Sequence, residues 1–274
     1  LYSNMPYSDV GNYTFDTYLD YVQQGIYLWE NSPYVKNYPE LYFLNYVLFH
    51  RTNDEEIKPC RTYFWKKIKD KVQGKAMVEA ALEINHWCAG EVMYQGTDMR
   101  TGSALEIYRS GVGRCGEEAV FVVNVMRSAG IPARPVYVPR WSHCDDNHAW
   151  VEVWCDGDWH YLGACEPEAV LDKGWFTNAA SRAMMIGSRW YDRAMPDEKV
   201  IGKDGMNRII NLLGKYAKTR WITITVEDLD GTPAAGAKVR AEVMNYGEFS
   251  PIAIMEADKN GCISFETGFG SLLI

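Results

Sequence analysis

Two strand-like runs, separated by a two-residue turn, constrain the fold of this chain more than any other feature. The runs are 148–155 and 158–165, and the residues between them are Asp156 and Gly157. An Asp-Gly pair between such runs is a strong signal for a tight β-hairpin, because both turn positions require a positive φ. The middle of the chain is therefore predicted to contain an antiparallel sheet.

Helical spacing dominates the sequence before this hairpin. Residues 75–94 carry an apolar stripe at spacings of three and four. A second helix is predicted over 113–130, with Gly130 and then Pro132 as its stop signal. Residues 132–138, rich in Val and Tyr, follow as a strand. Helices followed by antiparallel strands predict an α+β fold.

Three regions are predicted along the chain. Residues 1–73 have mostly helical spacing and form a helical N-terminal region, and residues 74–217 form the core. From Trp221 the pattern changes to strand-like alternation broken by turns, so 218–274 is predicted to be a small β-sandwich module. The last residues, 271–274, are mostly apolar, and we expect this module to be incomplete.

Composition and charge exclude several classes of function. The net charge of −8 argues against nucleic acid or an anionic membrane surface as the main partner. The seven cysteines include no C-x-x-C pair, so we expect neither a structural zinc site nor a disulfide scaffold. No apolar stretch is long enough for a transmembrane helix. The sequence predicts no metal and no cofactor.

Cys115 is a candidate nucleophile because of its position at the start of the helix predicted over 113–130. It follows a glycine-rich turn and precedes Gly116, which lets a substrate approach closely. A helix N-terminus and partial exposure both favour the reactive thiolate form of a cysteine. The backbone N–H of Cys115 is also placed to help form an oxyanion hole. An ordinary buried cysteine is the alternative interpretation.

His148 is a candidate general base. It begins the first strand of the hairpin, directly after the polar loop residues Asp145, Asp146 and Asn147. A strand end beside a loop can hold an imidazole in a fixed orientation and still leave it accessible. A surface histidine at a strand start is the alternative.

Three motifs bring these two residues together in one family pattern. They are 113–118 (GRCGEE), 127–134 (RSAGIPAR) and 148–153 (HAWVEV), in this order. Over about residues 75–175 the chain resembles the transglutaminase-like superfamily, which includes transglutaminases, peptide N-glycanases and bacterial papain-like proteases. The resemblance implies a papain-like core in which the nucleophile lies at a helix N-terminus, packed on an antiparallel sheet. It makes Cys115 the nucleophile and His148 the general base.

The segment 139–172, with its LGACEP sequence at 162–167, resembles a bacterial subgroup of large exported proteins. In that subgroup a transglutaminase-like domain is followed by β-sandwich modules. The resemblance implies export to the periplasm or cell surface, and the start at Leu1 fits a removed signal peptide. It also favours hydrolysis over cross-linking, because the calcium-site patterns of animal transglutaminases are absent from the sequence.

The third member of the expected triad is missing from its usual place. Family members place an Asp four residues after the Trp of the second hairpin strand. That Trp is Trp159 here, and the fourth residue after it is Gly163. A β-bulge after this glycine would turn Glu166 toward the base, so we predict that Glu166 orients His148. Other possibilities are Glu168, Asp172, a Cys-His dyad, or an inactive site.

Other side chains are predicted around the site. Gln95 or Trp87 is expected to donate an N–H to the oxyanion, although Trp87 also lies on an apolar stripe. The residues expected to line the cleft are Arg140, Trp141, Asp146 and Trp150.

The predicted function is cysteine-dependent acyl transfer on amide bonds of a protein or peptide, through a thioester intermediate. Water as acyl acceptor makes the enzyme a protease or amidase, and an amine makes it a transglutaminase. Two other functions stay open: an inactive fold that binds peptide or glycan, and glycan release of the peptide N-glycanase kind. Neither the substrate nor the oligomeric state can be read from the sequence.

Overall fold

The computed structural model describes residues 1–98, 100–191, 197–204 and 207–274. Its α-helices are α1 (Tyr7–Asn12), α2 (Phe15–Asn31), α3 (Glu40–Phe43), α4 (Arg61–Val72), α5 (Met77–Glu91), α6 (Ala104–Ser110), α7 (Cys115–Ser128) and α8 (Thr177–Ala180). Its strands are β1 (Met93–Tyr94), β2 (Val112–Gly113), β3 (Ala133–Val138), β4 (His148–Cys155), β5 (Asp158–Leu162), β6 (Gly187–Trp190), β7 (Lys199–Asp204), β8 (Asn207–Asn211), β9 (Arg220–Thr225), β10 (Lys238–Asn245), β11 (Glu248–Glu256) and β12 (Cys262–Thr267). The predicted α+β class and the helical N-terminal region are confirmed.

The chain divides into two compact units. The first unit comprises Leu1–Val136 and Ala149–Gly174, and the second comprises Tyr137–His148 and Trp175–Ile274. Two of the three boundaries between the units fall inside β3 and β4, and the third lies between Gly174 and Trp175. The domain boundaries predicted from sequence, after residues 73 and 217, are a different division and stay a prediction.

Helix α7 lies at the centre of the first unit. Every residue from 117 to 128 is buried, which an amphipathic surface helix would not allow. The helix contacts α4, α5 and α6, so its apolar side chains are covered on several sides. The start and end predicted for it, near residues 113 and 130, are confirmed to within two residues. A buried helix of this kind holds its first residue in a fixed position.

The hairpin formed by β4 and β5 has the predicted register. Trp154 pairs with Trp159, and the turn residues Asp156 and Gly157 have φ values of 52° and 95°. Both turn positions are left-handed, as a two-residue hairpin turn requires. The ladder ends at Leu162, earlier than the second strand-like run, 158–165, suggested. The chain after Leu162 is therefore free to leave the sheet.

A buried ion pair joins β3 to β4 within the first unit. The Arg134 guanidinium makes two contacts with Glu152 Oε2. Its Nε donates a hydrogen bond at 2.7 Å, and its Nη2 lies 2.6 Å from the same oxygen. The same guanidinium lies 4.0 Å from the centroid of the Trp159 ring. Both charged groups are almost fully buried. These motif residues therefore hold the sheet together.

The second unit is built mainly from antiparallel strands. Strand β6 pairs with β8, and β8 pairs with β7. Strands β10 and β11 pair with each other, as do β9 and β12. Buried and exposed residues alternate along β10, which agrees with the alternation read from the sequence. The assignment of 218–274 as a β-sandwich module stays a prediction.

Candidate active site

Cys115 is the first residue of α7. The preceding residue, Arg114, is extended, and its backbone N–H donates to Glu117 Oε2 at 3.1 Å. The Glu117 carboxylate also accepts hydrogen bonds from the Gly102 N–H at 3.1 Å and from Thr97 Oγ1 at 2.5 Å. Glu117 therefore fixes both the start of the helix and the loop beside it, which holds Cys115 at the helix N-terminus.

Burial decides the resting protonation of Cys115. It is the largest influence and raises the pKa of the thiol above its ordinary value. The nearby backbone N–H groups of Ala149 and Gly116 lower the pKa, but by less. The sequence favoured a thiolate at this helix end. The structure instead favours a resting thiol, because the sulfur is largely removed from water.

A tight turn follows β5. The Glu166 N–H donates to the Gly163 carbonyl at 3.2 Å, and Cys165 between them has φ 57°. Asn85 of α5 holds this turn: its Oδ1 accepts from the Cys165 N–H at 3.1 Å and its Nδ2 donates to the Gly163 carbonyl at 2.9 Å. The structure therefore has a turn held by Asn85 where the sequence suggested a β-bulge.

The Glu166 side chain folds back onto Gly163. A Cβ added to Gly163 would collide with Glu166 Oε2 and would lie 2.7 Å from the Glu166 Cβ. Real Cβ atoms do not approach other atoms so closely. The glycine at position 163, where the resemblance predicts an Asp, therefore leaves room for a carboxyl group from three residues further along the chain.

The two alternative acids are engaged elsewhere in the first unit. Asp172 Oδ2 lies 2.6 Å from His160 Nδ1, and Glu168 Oε2 lies 2.8 Å from Lys173 Nζ. Among the three candidates, Glu166 is the one whose carboxyl group lies against Gly163.

Glu118 places a second buried carboxyl group near the nucleophile. It lies three residues after Cys115 in α7 and is 3% exposed. Burial, followed by the charges of Glu166 and Glu117, raises the pKa of Glu118 to about 8. This carboxyl group is therefore mostly protonated at neutral pH. The first unit thus holds a neutral acid, Glu118, next to the carboxyl group of Glu166.

His148 begins β4 and belongs to the second unit. It is 6% exposed, and its ring centroid lies 4.7 Å from that of Trp175 and 5.0 Å from that of Phe176. Burial lowers the pKa of His148 to about 4, although the nearby charge of Asp146 acts in the opposite direction. The imidazole is therefore neutral at pH 7 and able to accept a proton.

The two predicted oxyanion donors have different surroundings. Gln95 is exposed, and its backbone N–H donates to the Gly113 carbonyl at 2.9 Å, two residues before Cys115. Trp87 is partly buried and stacks on Tyr108 with ring centroids 6.0 Å apart. Gln95 thus lies beside the segment that leads into the nucleophile, whereas Trp87 packs in the aromatic core.

The residues predicted to line the cleft also differ in exposure. Trp141 is 2% exposed and Trp150 is fully buried, so neither presents its ring to solvent in the free chain. Arg140 is partly exposed and donates to the Pro139 carbonyl at 2.8 Å. Asp146 is exposed and close enough to His148 to influence its pKa. The assignment of these residues to a cleft stays a prediction.

Three residues of the candidate site were not singled out from the sequence. Asn85 interrupts the apolar stripe of α5 with a buried amide, a signal that could have been noticed. Glu118 is the second acid of the GRCGEE motif, but nothing in that motif indicates its burial. Trp175 is 66% exposed although its ring lies against His148, and the sequence contains no pattern that places it there.

Two kinds of feature are absent from the part of the chain that the structure describes. Among these residues, no group of three His, Cys, Asp or Glu side chains could hold a metal ion. Within the same residues, none of the helices is both long and apolar enough to cross a membrane. All seven cysteines are free thiols.

Residues 66–164 match the family model of the transglutaminase-like superfamily. This segment contains α5, the start of α7 at Cys115, the β4–β5 hairpin and Gly163. Through this segment, about a third of its length, the chain is similar to the transglutaminase-like superfamily.

Three solved structures are similar to parts of the chain. A candidate cysteine protease from Cytophaga hutchinsonii has 19% identity and a TM-score of 0.33, over 55% of this chain and 57% of its own. LapG from Legionella pneumophila has 13% identity and a TM-score of 0.34, over 55% of this chain and 76% of LapG. Red sea bream transglutaminase has 11% identity and a TM-score of 0.38, over 89% of this chain and 52% of the transglutaminase. This chain thus spans less than two thirds of the length of the Cytophaga hutchinsonii protein and of the red sea bream transglutaminase. No curated protein sequence matches it.

Proposed function

We propose that this chain is a cysteine-dependent enzyme that acts on amide bonds of a protein or peptide through a thioester. One contact carries the proposal. The backbone N–H of Ala149 lies close enough to the sulfur of Cys115 to lower its pKa, and Ala149 is the residue directly after His148 in the chain. The start of β4 therefore places the residue bonded to the proposed base beside the proposed nucleophile.

The opposite pKa shifts favour proton transfer during attack over a preformed ion pair. The thiol of Cys115 and the imidazole of His148 are both neutral at rest, because burial raises the pKa of the first and lowers that of the second. In the proposed first step the sulfur forms a bond to the amide carbon while the imidazole accepts the thiol proton. The helix N-terminus and the backbone N–H of Cys115 then stabilise the oxyanion, with Gln95 as the proposed second donor.

Collapse of this intermediate breaks the C–N bond. The leaving amine takes the proton from the imidazolium of His148, and the acyl group stays on Cys115 as a thioester. A water molecule or a second amine then attacks the thioester, with His148 again accepting its proton. The products are a carboxylic acid or a new amide, together with the free thiol.

We propose that Glu166 orients the imidazole of His148, as the carboxylate of a catalytic triad does. The support is its position: its carboxyl group lies against Gly163, where the family's usual Asp begins. Asp146 is the carboxylate whose charge raises the pKa of His148, but it is exposed and so supplies a weaker constraint on the ring.

We favour water as the acyl acceptor, because the sequence motifs resemble those of bacterial members. The same resemblance leads us to propose the periplasm or cell surface as the place of action.

The test separates the two acceptors in one reaction. The chain is incubated with fluorescein-labelled casein and dansylcadaverine, and both peptide release and dansyl incorporation into casein are measured. We expect peptide release that disappears in Cys115→Ala and persists in Cys262→Ala, a matched control at another partly exposed thiol. Dansyl incorporation without release would show cross-linking instead. Neither product, together with casein binding that Cys115→Ala retains, would indicate an inactive binding fold.

A further inference from the structure

The second unit contains a large cavity that the proposed chemistry does not use. Its volume is about 1240 Å³. Ligand pockets for small molecules have volumes of roughly 300–1,000 Å³, so this cavity has room for a longer ligand. Its walls come from the loop before β4, the segments 181–183 and 214–218, strands β10 and β11, and residues 269–273.

The charged side chains of this cavity are mainly basic. Arg182, Lys215 and Lys218 line it and are exposed. Among the lining residues that the structure describes, the acid is Glu242, whose Oε1 lies 2.7 Å from Arg240 Nη2. The chain as a whole has a net charge of −8, so this local excess of positive charge opposes the overall balance. A concave basic wall concentrates negatively charged ligands.

Exposed apolar side chains lie beside these cations. Met244, Phe249 and Phe269 line the same cavity and are 53%, 50% and 65% exposed. Water-exposed apolar side chains grouped in a concave surface are typical of binding sites. A ligand for this surface must therefore carry both negative charge and apolar groups.

We infer that the cavity binds an acidic polypeptide segment that carries aromatic or aliphatic side chains among its carboxylates. Carboxylates pair with the three cations, and the apolar side chains of the segment cover Met244, Phe249 and Phe269. Nucleic acid fits less well, because its affinity comes mainly from a dense row of phosphates and a chain of net charge −8 repels a long polyanion.

The position of the cavity in the second unit gives this binding a role. Ser142 and His143 line the cavity, and the chain continues from them to His148 within a few residues. The acidic segment is therefore a recognition element of the polypeptide substrate, held at one end of the loop that leads to the base. This role rests on the proposed function, whereas the binding itself does not.

The experiment measures binding without turnover. The full chain carrying Cys115→Ala is titrated against a short fluorescein-labelled peptide that contains Glu and Phe, and fluorescence anisotropy is recorded. A peptide with Gln in place of each Glu and an oligo-dT of equal length are the comparison probes. We expect the acidic peptide to bind at least about tenfold more tightly than either, since a factor of ten needs about 1.4 kcal/mol, which three exposed charge pairs together supply.

Charge reversal locates the site. Arg182→Glu, Lys215→Glu and Lys218→Glu together should weaken binding of the acidic peptide at least about tenfold. The matched control reverses Lys36, Lys66 and Lys238, which are exposed and do not line the cavity. It should leave binding within about twofold. Circular dichroism checks folding, and Lys215→Glu alone, at an exposed lysine, replaces the triple variant if that variant unfolds.

Three results would overturn the inference: equal binding of the Gln peptide, tighter binding of oligo-dT, or no effect of charge reversal at the cavity. Failure of the proposed function looks different. In that case the acidic peptide still binds the cavity, but the unmodified chain neither cleaves nor cross-links casein. Conversely, cleavage of casein with no binding of the acidic peptide would contradict the inferred recognition site and leave the proposed function standing.

Discussion

The carboxyl group of Glu166 lies against Gly163, in the space that any side chain at position 163 would fill. The missing acid of the family pattern and the acid proposed to replace it are thus mutually exclusive in space. One position can carry a side chain only if the other side chain moves away.

Because the two side chains exclude each other, we can predict what happens when the carboxyl group is moved from position 166 to position 163. Glu166→Ala should lower casein cleavage about 100-fold or more, because an unoriented imidazole is a poor base. Adding Gly163→Asp to Glu166→Ala should recover at least about tenfold, since the new carboxylate starts from the family's usual position. Gly163→Asp alone should be impaired, because its Cβ collides with Glu166.

Steady-state cleavage rates for the four proteins provide the measurement. Glu168→Ala is the control, because its carboxylate is paired with Lys173, and it should retain activity within about twofold. If the double variant were no better than Glu166→Ala, Glu166 would not act as the third member of the site.

The buried Glu118 predicts a pH dependence of stability. Its pKa is raised from 4.5 to about 8 in the folded chain, so folding favours its protonated form. Below pH 4.5 the group is protonated in both states. As the pH rises toward 8, the unfolded chain loses this proton and the folded chain keeps it, so the contribution of Glu118 to stability falls.

Glu118→Gln removes this titration. We expect the variant to be more stable than the unmodified chain at pH 8 by about 1–3 kcal/mol, and to have a flatter profile from pH 5 to 8. Urea unfolding at pH 5, 6.5 and 8 measures both effects. Glu30→Gln, at an exposed glutamate, should change nothing beyond about 0.5 kcal/mol. If the free energy of unfolding changed with pH in the same way in Glu118→Gln and in the unmodified chain, Glu118 would not be buried in its protonated form.

The protonation of Cys115 predicts how the thiol reacts with iodoacetamide. Burial raises its pKa, so alkylation should reach half of its maximal rate above the ordinary thiol value of about 8.5. Because the imidazole of His148 is neutral at rest, His148→Ala should shift this midpoint little and yet abolish casein cleavage. Mass spectrometry of the peptide that contains Cys115 gives the rate at each pH.

A different dependence of the alkylation rate on pH would contradict this prediction. A midpoint near pH 6 that moves upward in His148→Ala would mean a resting thiolate–imidazolium pair. Cys262, a partly exposed thiol at the start of β12, serves as the internal reference in the same digest.

The buried ion pair between Arg134 and Glu152 predicts a large loss of stability. Glu152→Gln leaves the guanidinium of Arg134 buried without its counter-charge, and we expect a loss of about 3–5 kcal/mol in the free energy of unfolding. The control is Asp98→Asn, which breaks the exposed pair with Arg100 and should leave the free energy of unfolding unchanged within the error of the measurement. Urea denaturation compares the two, and losses of similar size would show that burial does not set the strength of these pairs.

Much of the local structure was predictable because its causes lie within a few residues. The turn at Asp156 and Gly157 needs two left-handed positions, and those residue types adopt them readily. The limits of α7 follow from an acidic first turn and a glycine after its last turn. The register that pairs Trp154 with Trp159 then follows by counting from the turn.

The turn that carries Glu166 was not predictable in this way. Its clamp, Asn85, lies 78 residues from Gly163 in the chain, on a different helix. The pattern around Gly163 is compatible with either a bulge or a turn, and only packing against α5 selects the turn. Sequence spacing identified Glu166 as a candidate but assumed the wrong backbone path to reach it.

By itself, the sequence determined which residue types stand at a helix start, at a strand start and in the hairpin turn, because these depend on local backbone preferences and on side-chain period. It thereby singled out Cys115 and His148. Only the tertiary structure decided their charge states, the conformation around Gly163 and the burial of Glu118. Those properties depend on how much water and which charges surround a group, and distant parts of the chain supply both.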